Sequence, residues 1–280
     1  MEKTPQTVVA NGLRFAYLAQ GSGPLVLLLH GFPDTPHTWD EVRPALAAAG
    51  YRAVSPYMRG YFPSEIPQPP AYDSETLGRD VLGLITALGE ERAIVVGHDW
   101  GASAAYAAAS LGPERVAVLC TLAIPHPASI KPSLRLLWQV RHFFVLRQRQ
   151  AASRLRADHL AYIDELVQRW SPKWRVPPGE TAAVKAAFSE PGCLEAALGY
   201  YRAMTPRLPA ALRGKITVPA VSFAGTDDPF PPAGFDRAAP WFAGGYRVVR
   251  MPGGHFMHRE HPARFIKELL AALAAPPPAS

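Results

Sequence analysis

The segment Ala93-Ile94-Val95-Val96-Gly97-His98-Asp99-Trp100-Gly101 constrains this chain more than any other. A short apolar run, residues 93–96, leads into a small-x-acid-x-small pattern, and residues 102–111 follow with helical character. Glycines two positions either side of Asp99 allow a tight strand-to-helix turn that lifts the central side chain above a sheet edge. A serine at such a turn must lose a proton before it attacks, whereas a carboxylate with a pKa of about 4 is already an anion at neutral pH. Its attack on a carbonyl would give an anhydride, an unattractive intermediate, but its attack on a saturated, polarised carbon gives an ordinary ester. Asp99 therefore points to a substrate with a leaving group on sp3 carbon, such as an epoxide or an alkyl halide.

The surroundings of this turn alternate between strand and helix. Residues 6–19 alternate in polarity around Asn11-Gly12, a strong hairpin pair. Residues 24–30 are an apolar run suited to a strand buried on both faces. A helix over 40–49 stopping at Gly50, a strand over 52–56, a helix over 74–88 and a strand over 116–124 continue the rhythm. The rhythm breaks after Pro125-His126-Pro127, and residues 133–204 read as helical throughout. Strands over 219–225 and Tyr246–Met251 and a helix over Pro262–Ala274 then resume it. The pattern predicts a mostly parallel twisted sheet with helices on both faces. Its core comprises residues 1–127 and 210–280, and residues 128–209 form an inserted helical cap over the carboxyl ends of the strands, where open α/β sheets bind ligands. The tail Pro276-Pro277-Pro278-Ala279-Ser280 is expected to be disordered.

Composition narrows the setting. The two cysteines, Cys120 and Cys193, provide no disulfide framework and suit a reducing compartment. The first residues lack an apolar signal-peptide core, and no apolar run approaches the roughly 18 residues of a membrane span. A cytoplasmic protein with no membrane association is expected. The net charge of +6 is concentrated between Lys131 and Lys215, with 15 Lys/Arg against 6 Asp/Glu. The arginines follow helical periodicity without interleaved aromatics, so the reading is a solvated helical face rather than a nucleic-acid or anionic-surface site. No nucleic-acid partner, cofactor or metal is expected.

Asp99 needs a base and an orienting acid, in the chain order nucleophile, acid, histidine. The acid lies in Gly225-Thr226-Asp227-Asp228-Pro229, and because adjacent carboxylates cannot both face one imidazole, Asp228 is assigned. The base is His255 in Pro252-Gly253-Gly254-His255-Phe256, just past a strand, in preference to His258 and His261 at the entry to the last helix. Phe32 in His30-Gly31-Phe32-Pro33 and Trp100 after the acid are the candidate backbone N–H donors to a tetrahedral oxyanion.

These motifs together resemble the Asp-nucleophile branch of the α/β-hydrolase fold, the epoxide hydrolases and haloalkane dehalogenases. His30-Gly31-Phe32-Pro33 resembles the family's HGxP motif, whose proline is typically cis, and Arg59-Gly60-Tyr61 with Ser64 resembles its RGYxxS stretch. Gly97-His98-Asp99-Trp100-Gly101, Gly225-Thr226-Asp227-Asp228 and Gly254-His255-Phe256 resemble its nucleophile, acid and base motifs, and the likeness runs over residues 15–268. The resemblance implies a covalent alkyl ester on Asp99, hydrolysed by water that His255, oriented by Asp228, deprotonates.

The cap bears on the leaving group. Epoxide hydrolases are similar to one another in cap acids, usually two tyrosines, that bind the epoxide oxygen. Gly199-Tyr200-Tyr201-Arg202-Ala203 resembles the segment holding the second, which assigns Tyr201, whereas Arg141-His142-Phe143-Phe144 places His142 where the first would stand. Fluoroacetate dehalogenases hold substrate with arginines beside the nucleophile, and Trp100 and Ser103 stand there instead. Haloalkane dehalogenases need a second Trp or Asn donor, which Trp138, Trp170 and Trp174 leave open. The expectation is an epoxide hydrolase acting on a small apolar substrate, with a haloalkane dehalogenase and a non-catalytic binding protein of the same fold as alternatives, and a homodimer compatible with either.

Overall fold

The computed structural model describes residues 4–131, 133–205 and 207–278. Eight strands form one sheet: β1 (Gln6–Ala10), β2 (Leu13–Gln20), β3 (Leu25–Leu29), β4 (Arg52–Pro56), β5 (Ala93–His98), β6 (Val116–Leu122), β7 (Ala220–Gly225) and β8 (Tyr246–Met251). Their order is β1-β2-β4-β3-β5-β6-β7-β8. The pairs β1/β2 and β2/β4 are antiparallel and all later pairs are parallel. The helices are α1 (Val42–Ala48), α2 (Ser74–Ala87), α3 (Trp100–Leu111), α4 (Leu134–Gln139), α5 (His142–Leu146), α6 (Ala151–Ala157), α7 (Ala161–Trp170), α8 (Ala182–Ser189), α9 (Cys193–Ala203), α10 (Pro232–Asp236), α11 (Met257–Glu260) and α12 (Pro262–Ala274).

The hairpin forms where Asn11-Gly12 predicts it, with φ of 48° and 72° at the two turn residues, the paired positive values of a type I′ turn. In the centre of the sheet, side chains alternate between two buried faces. Leu25, Leu27 and Leu29 of β3 join α2 and α3 on one side, and Val26 and Leu28 join α1 and α12 on the other. Each such fully buried Val or Leu contributes about 1.5–3 kcal/mol relative to exposure. Leu77, Val81, Leu84 and Ile85 of α2 recur at helical spacing and are buried.

Several element ends differ from the sequence reading. The strand expected over 93–96 runs on to His98, and the helix expected from 102 begins at Trp100, so only Asp99 separates β5 from α3. The helix expected over 40–49 is the shorter α1, and a 3-10 turn, Pro36–Trp39, precedes it. The stretch expected to be helical over 133–204 is six helices, α4 to α9, broken at positive-φ residues such as Leu160 and Gly192. The short helices α10 and α11 are too brief for a periodic signal. In the tail, the carbonyls of Pro277 and Pro278 occupy the space that a Cβ on Gly245 would need, so this part packs before β8 and is not disordered. Ala279 and Ser280 lie outside the described residues. Among those described, no helix is long and apolar enough to cross a membrane.

One buried ion pair ties the hairpin, the sheet and the inserted helices together. Arg59 Nε and Nη2 donate to the two oxygens of Asp80 on α2 at 2.7 and 2.5 Å, and the Asn11 side chain donates to the same carboxylate at 2.8 Å. The Tyr200 hydroxyl of α9 donates to the Arg59 carbonyl at 2.8 Å. Arg59 and Asp80 side chains are both 6% exposed, so neither charge has water to fall back on. Replacing Asp80 by Ala strands the guanidinium, and urea denaturation is expected to show a loss of roughly 3–5 kcal/mol. A loss below about 1 kcal/mol, the range of an exposed pair, would mean that the pair is not holding these elements.

Candidate active site

Asp99 sits between β5 and α3 with φ 54° and ψ −117°, a left-handed-side conformation unusual for a residue with a Cβ. The flanking glycines serve a different purpose from the one the sequence suggests. Neither Gly97 nor Gly101 has a positive φ; the strained torsion falls on Asp99 itself. A Cβ on Gly97 would stand 2.2 Å from the Gly101 carbonyl oxygen, and one on Gly101 would stand 2.4 Å from that of Leu29. They are glycine because β3, β5 and α3 approach too closely for any side chain. Gly31 is under the same constraint, since its Cβ would meet Asp99 Cβ at 2.4 Å.

This close approach carries the Phe32 N–H to Asp99 Oδ1 at 2.8 Å, with the Phe32–Pro33 bond cis. Trp100, the other expected donor, opens α3, where first-turn N–H groups lack intrahelical acceptors. Its indole forms a wall, edge to face with Tyr201 at a centroid distance of 5.2 Å.

Across from Phe32, His255 Nε2 stands 3.5 Å from Asp99 Oδ2, within ion-pair range but longer than a well-formed hydrogen bond. Its Nδ1–H donates to Asp228 Oδ2 at 3.0 Å, while Asp228 Oδ1 accepts the Phe230 N–H at 2.6 Å. Asp227 turns outward to Lys173 at 2.7 Å, so of the adjacent carboxylates it is Asp228 that reaches the imidazole. His258 points away, its Nε2 2.6 Å from Thr38 Oγ1, and His261 precedes α12 on the surface.

Burial pushes the Asp99 carboxyl up, but His255, His98 and the Phe32 N–H outweigh it and hold the group below the ordinary carboxylate value. Burial disfavours a charged His255, but Asp228 and Asp99 on either side raise its pKa to about 10. The two flanking carboxylates thus favour the charged form of the ring.

The cap residues converge on the same point. Tyr201 is buried against Phe32 and Trp100, with burial and then the Asp99 charge raising its pKa well above the usual phenol range. His142 is also buried, and desolvation lowers its pKa to about 4, so its ring is neutral. The two rings lie 6.3 Å apart. Ile124, Val140, Phe143, Trp170, Pro229 and Phe230 line a small cavity, about 30 Å³, with Asp99, His142 and His255. Trp138 is 68% exposed and away from this cavity, whereas Trp170 lines it with a buried indole N–H that has no hydrogen-bond partner among the described residues.

Sequence reasoning misses the supports of the histidine. The His255 N–H donates to the Trp170 carbonyl at 3.0 Å, and the Phe256 N–H to Ser171 Oγ at 3.2 Å. Glu260 Oε1 accepts from Ser171 Oγ at 2.6 Å and from the Gly254 N–H at 2.7 Å. Beneath the ring, His98 Nε2–H donates to the His255 carbonyl at 3.0 Å. Donor atoms of Asp34, His98 and His258 lie within 4.8 Å of one another. However, Arg259 takes the Asp34 carboxylate at 3.2 Å, and each ring already uses its Nε2. Two remaining Nδ1 atoms are fewer donors than the three or four protein ligands of a zinc site.

Residues 24–262 match the family model described as the alpha/beta hydrolase fold. The chain is 31% identical to epoxide hydrolase A of Mycobacterium tuberculosis over 317 aligned positions, covering 96% of this chain and 97% of that one. It is also 31% identical to an epoxide hydrolase of Caballeronia sordidicola, covering 95% and 92%. The crystal structure of epoxide hydrolase A from Mycobacterium thermoresistibile superposes with a TM-score of 0.78 at 28% identity over 98% of both chains. With an eight-stranded α/β sheet, a carboxylate at its strand-to-helix turn and end-to-end similarity to such relatives, this chain belongs to the α/β-hydrolase fold family, among the enzymes of the epoxide hydrolase kind.

Proposed function

We propose that this protein hydrolyses small, apolar epoxides to diols through a covalent ester on Asp99. The observation that carries the reading is the asymmetry of the Asp99 carboxylate. Oδ1 is held by the Phe32 N–H and Oδ2 faces His255 over the cavity. Oδ2 attacks a ring carbon, the C–O bond breaks, and its electron pair moves to the epoxide oxygen, which takes a proton from the cap. Tyr201, a protonated phenol, is the stronger donor, and the neutral His142 holds the oxygen by a hydrogen bond. In this reading residues 128–209 act as a lid over a core of residues 1–127 and 210–280, excluding bulk water.

Esterification removes the Asp99 charge, one of the two that hold the proton on His255. The imidazole pKa then falls, the imidazolium passes its proton to the Tyr201 phenolate left by ring opening, and the neutral ring can then accept a proton from water. The resulting hydroxide attacks the ester carbonyl, whose oxygen is Oδ1, already on the Phe32 N–H. The Trp100 N–H supplies a second donor as the tetrahedral oxyanion forms, and Asp228 stabilises the imidazolium; the intermediate then collapses with cleavage of the Cγ–Oδ2 bond, its hydroxyl proton passes to the departing alkoxide, and the diol leaves with Asp99 again a carboxylate. The same anion that raises the resting pKa is thus consumed by the first step, which switches the base on for the second.

Trapping tests this directly. His255→Gln incubated with styrene-type or aliphatic epoxides should accumulate an adduct on Asp99 of the epoxide's mass, seen by mass spectrometry, and Asp99→Ala should show neither adduct nor diol. No diol from the wild-type protein across the panel would overturn the reading. In the cap, Tyr201→Phe should lower kcat by about 10²–10³, and His142→Phe by no more than about tenfold. Equal losses would reverse the assignment of the main donor. Stability should also report the histidine. A pKa raised from about 6.5 in the unfolded chain means stabilisation fully present below about pH 6.5. That stabilisation is lost as pH rises through about 10. The melting-temperature deficit of His255→Gln should therefore shrink between neutral pH and pH ~10, and a deficit constant with pH would contradict a charged resting ring.

A further inference from the structure

The cap has a second feature that the chemistry above does not use. Leu134, Leu137 and Trp138 of α4 are 87%, 49% and 68% exposed, and Phe144 of α5 is 66% exposed. The first three stand at i, i+3 and i+4, one face of the helix. Single exposed apolar residues are ordinary on a protein surface, but a run of four over eleven positions, with a Trp and a Phe among them, is a patch.

Its charge surroundings identify what would cover it. Residues 130–150 carry five Lys/Arg and no Asp or Glu. Lys131, Arg141, Arg147 and Arg149 have no carboxylate partner among the described residues. The Arg141 guanidinium instead lies 4.2 Å over the Trp138 ring and donates to the Trp138 carbonyl at 2.7 Å, a cation held at the edge of the apolar face. A second copy of the chain would bring the same uncompensated positive charge to this face, which disfavours self-association. An anionic lipid surface supplies both complements, acyl chains for Leu, Trp and Phe and acidic headgroups for the basic rim.

The other side of α4 leads inward. Leu136 and Gln139 line a cavity of about 110 Å³ together with Pro229 and Phe230, and those last two residues also wall the cavity that holds Asp99. One short helix therefore separates the exposed patch from the approach to the catalytic carboxylate. Apolar epoxides partition into bilayers, so a helix seated at a lipid surface would stand where such a substrate is concentrated.

We propose that the α4–α5 face, with Leu134, Leu137, Trp138 and Phe144 at its centre, docks peripherally on anionic membranes. This replaces the reading of the basic segment as merely solvated, and it stands whether or not the epoxide assignment holds. The test is co-sedimentation of the full-length protein with phosphatidylcholine vesicles, with and without phosphatidylglycerol. The expected result is binding to phosphatidylglycerol-containing vesicles alone and release as salt is raised several-fold. Binding should weaken by roughly tenfold or more in Leu137→Ala/Trp138→Ala. Both side chains are largely exposed, and an unchanged melting temperature would show that the variant is folded. Absence of wild-type binding, or equal binding by the variant, would overturn the proposal. So would a concentration-dependent dimer, seen by light scattering, that the same double substitution abolishes, since it would give the face to a second copy.

Discussion

The contact between the Phe32 N–H and Asp99 Oδ1 is the point from which the rest of the site is measured. It requires the loop after β3 to touch the turn after β5, and that requires glycine at 31, 97 and 101, where a Cβ would fall 2.2–2.4 Å from its neighbours. The parallel pairing of β3 with β5 sets the two strand ends side by side, with Leu29 opposite Gly97. With one oxygen fixed in this way, the other has a defined face toward His255. The positive φ at Asp99 is the local cost of presenting the carboxylate, and the packing around it offsets that cost.

Electrostatics follow from the same arrangement. A carboxylate this deeply buried would ordinarily take up a proton, and Asp99 remains ionised because His255 shares the space as a cation. The pair is self-consistent only while both charges exist. In the proposed mechanism, neutralising one of them releases the other's proton affinity, so acid–base timing needs no movement of the histidine. The backbone of His255 is held to Trp170 and His98, on two sides of the loop, which suits a ring that changes charge without changing place.

The inserted helices serve more than one purpose. Trp170 and Ser171 at the end of α7 support the histidine loop, Tyr200 and Tyr201 on α9 face Arg59 and Asp99 in turn, and α4 separates the interior from an exposed apolar face. Adjacent tyrosines on one helix therefore divide the work, Tyr200 fastening α9 to the core and Tyr201 facing the site.

Much of this was legible locally. The Asn11-Gly12 hairpin, the β5–α3 turn, the alternation of the sheet and the choice of Asp99, Asp228 and His255 all rest on short-range signals: turn residues, apolar periodicity and motif order along the chain. The glycine reading was right in residue and wrong in reason, because torsions cannot be separated from close approach until the neighbouring strand is in place. Ser171 and Glu260, 89 positions apart, and the unpartnered indole N–H of Trp170 carry no signal in sequence, since neither has meaning until the cap meets the histidine loop. The same holds for Leu134, Leu137 and Trp138, which read as ordinary helix residues until the fold leaves their face uncovered. Sequence by itself determined the layered α/β sheet and which carboxylates and histidine to look for at its turns, because backbone preference and chemical type are properties of residues. Tertiary structure alone decided which oxygen of Asp99 is free, which charges share a buried space and which apolar face stays in water, because each of these depends on distances between segments far apart in the chain.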